Sequence, residues 1–174
     1  MRVREATGAD VEPLALLAAA TFPLACPPHV TDEAKAAFIA AQLSVASFTA
    51  YLADPARAVF VAEEDGTLLG YTMLVAREPA DAEVAAAITL RPSVELSKCY
   101  VHPDSHGAGV ASALMTASLE HARGLGAGGI WLGVNQQNLR AQRFYERHGF
   151  ARVGVKRFLV GDRYEDDFVC ERAL

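Results

Sequence analysis

Residues 94–114 read Val94-Glu95-Leu96-Ser97-Lys98-Cys99-Tyr100-Val101-His102-Pro103-Asp104-Ser105-His106-Gly107-Ala108-Gly109-Val110-Ala111-Ser112-Ala113-Leu114, and this run decides the fold. A β-rich segment, Val94 to Val101, leads through a turn into a loop of small residues and then an apolar-periodic helix. Small side chains at Gly107, Gly109 and Ala111 let the backbone approach a ligand closely. The free N–H groups in the first turn of the following helix point at whatever lies there, and the helix dipole favours an anion. The outline is that of a diphosphate cradle.

Spacing chooses among the owners of such loops. A P-loop needs Gly-x-x-x-x-Gly-Lys-Ser/Thr, and no Lys follows these glycines. A dinucleotide fingerprint needs Gly-x-Gly-x-x-Gly after a first strand, with an acid about 20 residues on. Here Ser112 stands in the third glycine's place, the loop lies past the middle of the chain, and Glu120 is too near and inside the helix. At this point a helix start whose small residues only permit a tight turn remains the alternative.

The downstream residues narrow the choice. Gly129-Ile130-Trp131-Leu132-Gly133-Val134 reads as a short buried strand, followed by Asn135-Gln136-Gln137-Asn138. A helix comes next, with Ala141, Phe144, Tyr145 and His148 at i, i+3, i+4 and i+7. Gly149 ends it as a C-cap, and Phe150 opens another strand.

Taken together, Val101-x-Pro103, His106-x-x-Gly109-x-Ala111, Asn138-x-x-Ala141 and Phe144-Tyr145-Glu146-x-x-Gly149-Phe150 resemble the GCN5-related N-acetyltransferases (GNAT). That family's acetyl-CoA signature is Gln/Arg-x-x-Gly-x-Gly/Ala, followed later by Asn-x-x-Ala-x-x-x-Tyr. Each motif alone is weak, whereas their order and spacing are specific across the second half of the chain. His106 departs from the signature, since the family usually has Gln or Arg there. A closer resemblance, to PaiA-type spermidine/spermine N-acetyltransferases, rests on Glu95-Leu96, on Ile130 to Val134 and on Phe158-x-x-Gly161-Asp162-x-x-x-x-Asp167. The N-terminal pattern around Ala20-Thr21-Phe22, Phe38, Leu43 and Tyr51-Leu52 agrees with it.

The resemblance implies a single α/β (α+β) domain over residues 1–174, with a mixed, mostly antiparallel sheet of about seven strands flanked by helices. Its central parallel strands, the ones ending at Val101 and Val134, splay apart, and the pantetheine of acetyl-CoA lies between them. The backbone near Cys99 and Val101 would hold the pantetheine amides as a neighbouring strand does. One backbone donor nearby would polarise the thioester oxygen. His106, Gly107, Ala108, Gly109, Val110, Ala111 and Ser112 would form the diphosphate site. Asn138 would fix the cofactor arm by its side chain, or cap the helix that follows it, or both.

Tyr145 is the candidate general acid. A leaving thiolate has a conjugate pKa near ~8.5, and a phenol near ~10 can donate to it. Spacing alone reads the same Tyr145 as an aromatic packed on the helix's apolar face. A primary amine of pKa about 10.4 must lose a proton before attack, at a cost near pH 7 of ~4.6 kcal/mol. That cost is modest enough for water-relayed deprotonation through a carboxylate, and Glu95 is the candidate base, with a solvated strand end as the alternative reading. Strict alternation places Glu95, Ser97, Cys99 and Val101 on one face and Leu96, Lys98 and Tyr100 on the other. Cys99 as a covalent acetyl carrier is disfavoured against a small buried strand residue. Glu165-Asp166-Asp167 reads as a solvated hairpin acid run, with attraction of a polyamine as the alternative, and Glu33 as a residue able to line an acceptor mouth.

Composition is consistent with these expectations. The 174 residues suffice for one domain and one core. A net charge of −5 argues against nucleic acid and tolerates a cationic small-molecule amine as partner. No uninterrupted apolar run approaches the ~18 residues that span a membrane, so no membrane partner is expected and the location expected is cytoplasmic. Cys26, Cys99 and Cys170 form no C-x-x-C pair and the histidines are scattered, so no metal is expected. Homodimers are frequent in the resembled family, which makes a homodimer an admissible state. Elsewhere Val3 to Ala6 reads as an opening strand, and Asp10 as the cap of a helix running to about Ala20. Helices are expected from Thr31 and around Phe48 to Ala53. Hairpins are expected about Asp65-Gly66 and Gly161-Asp162, and a loop, with room for a helical turn, from Arg77 to Ala86.

Overall fold

The computed structural model of the chain describes residues 1–174. Its central feature is the pair β4 (Ser93–Val101) and β5 (Gly129–Asn135), which run parallel but pair only at Ser93–Gly129, Val94–Ile130 and Glu95–Trp131. Beyond Glu95 the two strands part. Around them lie β1 (Arg2–Glu5), β2 (Arg57–Glu64), β3 (Thr67–Val75), β6 (Ala151–Val160) and β7 (Arg163–Ala173). The strands stand in the order β1-β2-β3-β4-β5-β7-β6, and every neighbouring pair other than β4 and β5 is antiparallel.

Period-two alternation divides the core between the two faces. On one, α1 (Val11–Ala25) and α3 (Val45–Ala53) bring Leu14, Phe22 and Phe48 against Val59, Tyr71 and Met73. On the other, α5 (Val110–Gly124) sets Met115 and Leu119 against Leu74, Leu96 and Leu132, and α6 (Leu139–Arg147) adds Phe144. Full burial of each such side chain contributes roughly 1.5–3 kcal/mol. One polar pair is sealed inside, Thr72 on β3 with Ser118 on α5 at 2.9 Å. Ser118 also donates to the Leu114 carbonyl, so neither hydroxyl is orphaned.

β4 is not a regular strand. Leu74 pairs with Leu96 and Met73 with Lys98, so Ser97 is an extra residue opposite the Met73–Leu74 step. This bulge overturns the strict alternation expected for the strand. Cys99 packs with Leu96 on the α5–α6 face, whereas Tyr100 packs with Phe22 and Tyr71 on the α1 face. Glu95 therefore groups with Lys98 and Tyr100 and not with Cys99 and Val101.

Three further expectations are corrected. α1 runs on to Ala25 because Thr21 and Phe22 continue its buried stripe, and Pro23 sits only in the last turn. Asp10 makes no side-chain cap bond to α1. Its carboxylate instead accepts from Arg4 at 2.7 and 2.8 Å and from the Thr7 N–H at 2.7 Å. Arg77 to Ala86 contains a true helix, α4 (Ala82–Ala87), capped by Asp81 and anchored by Val84 and Ile88 against Trp131 and Val169. Finally, α2 (Asp32–Gln42) lies outermost and buries no residue completely. Stacking of its Phe38 on Phe22, with centroids 4.4 Å apart, holds it. The segments Gly8–Ala25 and Asp32–Ala53 reach mean hydropathies of 1.2 and 1.5 over 18 residues, an apolarity the count of uninterrupted runs does not register.

The Arg4 side chain, the Thr7 groups and the Arg4 charge hold Asp10 at a pKa of about 2, against an ordinary 3.8, in spite of its burial. A depressed carboxylate stabilises the fold above its unfolded pKa, and the gain disappears as pH falls through the folded one. Its size here is on the order of 2 kcal/mol. Urea unfolding of Asp10→Asn should show a deficit of that order at pH 6, shrinking towards zero by pH 2.

Candidate active site

The parting of β4 and β5 opens two cavities that meet. The first, about 400 Å³, lies among the end of β4, the loop at Ser105 to Gly109 and the N-termini of α5 and α6. The second, about 810 Å³, lies on the other side beneath α2, with Phe38, Tyr51, Glu95, Lys98 and Asp167 in its wall. Cys99, Tyr100, Asn138, Ala141 and Tyr145 line both.

The first cavity is built by the loop. After a 3-10 turn at Pro103–Ser105, Gly107 and Gly109 adopt φ of +86° and +79°, which side-chain-bearing residues avoid. Nothing lies within 4 Å of where a Cβ would stand at either position, so the dihedral and not crowding calls for glycine there. The first helical bond of α5 runs from Ala113 N–H to Gly109 C=O at 3.0 Å. The N–H groups of Val110, Ala111 and Ser112 precede it and have no partner within the helix. Val110, buried with Leu114 and Ala62, pins this helix start to the sheet.

His106 braces the loop. Its Nε2–H donates to the Val101 carbonyl at 3.2 Å, and its Nδ1 accepts from Arg140 at 3.0 Å. Both ring nitrogens are engaged within the protein, so this side chain serves the cradle by holding β4 and α6 together and bringing Arg140 to its rim. At Asn138, Oδ1 accepts from Ala141 N–H at 3.1 Å as the cap of α6, leaving the amide N–H groups to the cavities. Tyr145 follows two turns along α6 in the shared wall, and burial beside Cys99 raises its phenol well above the ordinary value. Burial likewise pushes the Cys99 thiol up to about 12, with the Tyr145 side chain opposing, so Cys99 is not a thiolate nucleophile at neutral pH.

A family model described as acetyltransferase (GNAT) family matches residues 21–150. The chain belongs to the GNAT acetyltransferase family. It is 47% identical over 165 residues to an uncharacterised N-acetyltransferase of Mycobacterium tuberculosis, covering 95% of this chain and 98% of that one. Its fold matches the PaiA N-acetyltransferase of Thermoplasma acidophilum in complex with coenzyme A, with TM-score 0.77, 19% identity and coverage of 99% and 98%. It also matches the ribosomal-protein-alanine N-acetyltransferase of Brucella melitensis, with TM-score 0.75, 20% identity and full coverage of both chains. The protein is accordingly an acetyl-CoA-dependent N-acetyltransferase. The first cavity of this GNAT chain fits that cosubstrate: uncrowded left-handed glycines, unbonded helix N–H groups and the unpaired edge of β4 lie along one wall.

The second cavity carries charges that the sequence did not bring together. Burial raises the Glu95 pKa while Lys156, Lys98 and Arg57 oppose it. Burial lowers Lys98 to about 8 against the pull of Glu95. Asp167 is pushed by burial up to about 6, with Lys156 holding it down. Glu165 is buried too and takes a hydrogen bond from His29 at 2.8 Å, closing the turn after α1 onto β7. The expected solvated acid run is therefore corrected: Glu165 and Asp167 face inward. The signal was available in β7, where Val169 points into the core and alternation carries Glu165, Asp167 and Glu171 with it. Glu33 is exposed on α2 and lines neither cavity.

Gly133 makes this arrangement fit. A Cβ there would lie 2.5 Å from Lys156 Cε and 3.1 Å from Asp167 Oδ2, so the Lys156 stem crosses β5 over the missing side chain. Gly133→Val should displace the ammonium and raise the Asp167 pKa above 6, read by carbon NMR of the carboxylate.

Proposed function

We propose that this enzyme transfers acetyl from acetyl-CoA to the primary amine of a small molecule, by direct attack in a ternary complex. The observation that carries the reading is the junction of the two cavities at Cys99, Tyr100, Asn138, Ala141 and Tyr145. A cosubstrate lying in one cavity and an acceptor in the other meet there without a covalent relay, and the high thiol pKa of Cys99 agrees.

The backbone of Gly107, Ala108, Gly109, Val110, Ala111 and Ser112 holds the diphosphate through its N–H groups and the positive end of α5. The open edge of β4 at Cys99 and Val101 bonds the pantetheine amides as an added strand. Asn138 donates its amide hydrogens to the same arm. Bound there, acetyl-CoA supplies an activated acyl thioester. Tyr145 donates its phenolic proton to the sulfur as it departs, and its raised pKa keeps that proton in place until then. Asp167, mostly ionised at pH 7, draws the acceptor's ammonium group to the junction. Glu95 accepts the amine's proton through water, and the ~4.6 kcal/mol cost of neutralising an aliphatic amine near pH 7 is modest enough for such a relay.

The polyamine acceptor implied by the sequence resemblance is supported by Glu95, Glu165 and Asp167 in one aromatic-walled cavity. Against it stand Arg57, Lys98 and Lys156 in the same wall, which repel the additional ammonium groups of spermidine or spermine.

Thiol release from acetyl-CoA, followed with a chromogenic thiol reagent over a panel of amines, tests the reading. Release should depend on acceptor, and kcat/KM should fall as pH drops through about 6, where Asp167 takes up a proton and loses its hold on an ammonium group. Tyr145→Phe should cut kcat about 10²-fold or more with little change in the acetyl-CoA KM. Cosubstrate binding without release for any amine would overturn acetyl transfer in favour of a sensor that binds acetyl-CoA.

A further inference from the structure

The acceptor cavity holds more cationic groups than an amine receptor requires. Six charged side chains line it: Glu95, Glu165 and Asp167 against Arg57, Lys98 and Lys156. Glu165 is satisfied by His29 at 2.8 Å, and Arg57 by Asp54 at 3.1 Å. Lys156 leans over Gly133 between Asp167 and Glu95 and moderates both. Lys98 is left. It is half-buried and makes no ion pair, with its ammonium 5.3 Å from the centroid of the Tyr51 ring. The Arg57 guanidinium lies 4.8 Å from the same ring. Unpaired Lys98, with Arg57 beside it held on one side by Asp54, gathers cationic charge about one aromatic wall and forms an anion subsite within the cavity.

Position along β4 gives the spacing. The Ser97 bulge turns Lys98 to the face of Glu95 and Tyr100, away from Leu96. Tyr100 belongs to the junction of the two cavities, and burial is the main cause that raises its phenol, with Cys26, Cys99 and Asp167 adding to it. Lys98 and Tyr51 line the second cavity and not the first. Tyr100 lies two residue steps along the strand from Lys98, which is roughly 7 Å of rise.

We propose that the acceptor is a primary amine that also bears an anionic group, a carboxylate or a phosphate, with its nitrogen beside Asp167 and its anion on Lys98 and Arg57. This rests on the acetyl-transfer reading and narrows it. An amino acid whose amine stands several bonds from its carboxylate, a short dipeptide, or an aminoalkyl phosphate has the required form. Simple alkylamines fill only the Asp167 end. Diamines and polyamines set a second ammonium against Lys98.

The test compares kcat/KM by thiol release for ω-amino acids of graded length, dipeptides and aminoalkyl phosphates. Each is run beside its amide or neutral counterpart, with spermidine included. The anionic acceptors should exceed their neutral partners about tenfold or more, the carboxylate and phosphate arms telling the two chemistries apart. Lys98→Gln should erase that ratio by raising KM for the anionic acceptors while kcat changes little, and Lys98→Arg should restore part of it. Equal kcat/KM for acids and amides, a preference for spermidine, or an acid-over-amide ratio unchanged in folded Lys98→Gln overturns this proposal and leaves acetyl transfer standing. Absence of thiol release with every amine, acidic or not, overturns both.

Discussion

Everything in this structure that bears on chemistry depends on β4 and β5 ceasing to pair after three residues. An open strand edge inside a sheet is a cost, since its N–H and C=O groups go unmet and invite another chain. Here the edge lies in a concave slot, with α1 on one side of the sheet and α6 on the other, where no second protein strand can enter. What can enter is a slender molecule with its own amides. The two cavities follow from the same parting, because the gap opens to both faces and the shared wall is simply its floor.

The bulge at Ser97 makes the slot useful on both sides. Upstream of it, Glu95 faces the second cavity; downstream, Cys99 turns towards α6 and Tyr145. One extra residue therefore lets a single strand present the charged side chains of Glu95 and Lys98 to one cavity and its main chain to the other. An unbulged β4 would place Cys99 and Glu95 on the same face, and the phenol on α6 would no longer meet the strand it serves.

Much of this was legible beforehand, and what was missed has identifiable causes. The cradle was readable because glycine at φ near +80° and a helix start are local requirements, written in adjacent residues. Asn138 and Tyr145 were readable for the same reason, being a cap and a position two turns further on one helix. The faces of β4 were not, since a bulge depends on the register of β3 against it and leaves no composition signal at Ser97. The acceptor charges were also obscured. Lys156 and Asp167 are cross-strand partners in the β6–β7 hairpin, but Glu95 lies on β4, far off in sequence, and the passage of Lys156 over Gly133 towards it is a tertiary feature. Asp10 was misassigned because Arg4, a cross-sheet partner, outcompetes the helix N–H groups for its carboxylate.

The strand order carries a further consequence, for the dynamics of the two cavities. β7 lies between β5 and β6, so β6 and β7 form a local hairpin about Gly161 that docks on β5 through seven residue pairs from Gly129–Ala173 to Asn135–Asp167. The tip half of that hairpin, from Phe158 to Glu165, lies past the last of those pairs and is held from outside by Phe38 and His29. Such a segment opens locally at lower free energy than the sheet behind it. Its fraying removes a wall of the second cavity while α5 and its loop stay folded, so one cavity can open while the other keeps its shape. Amide exchange would register this as two separate protection classes within one small sheet.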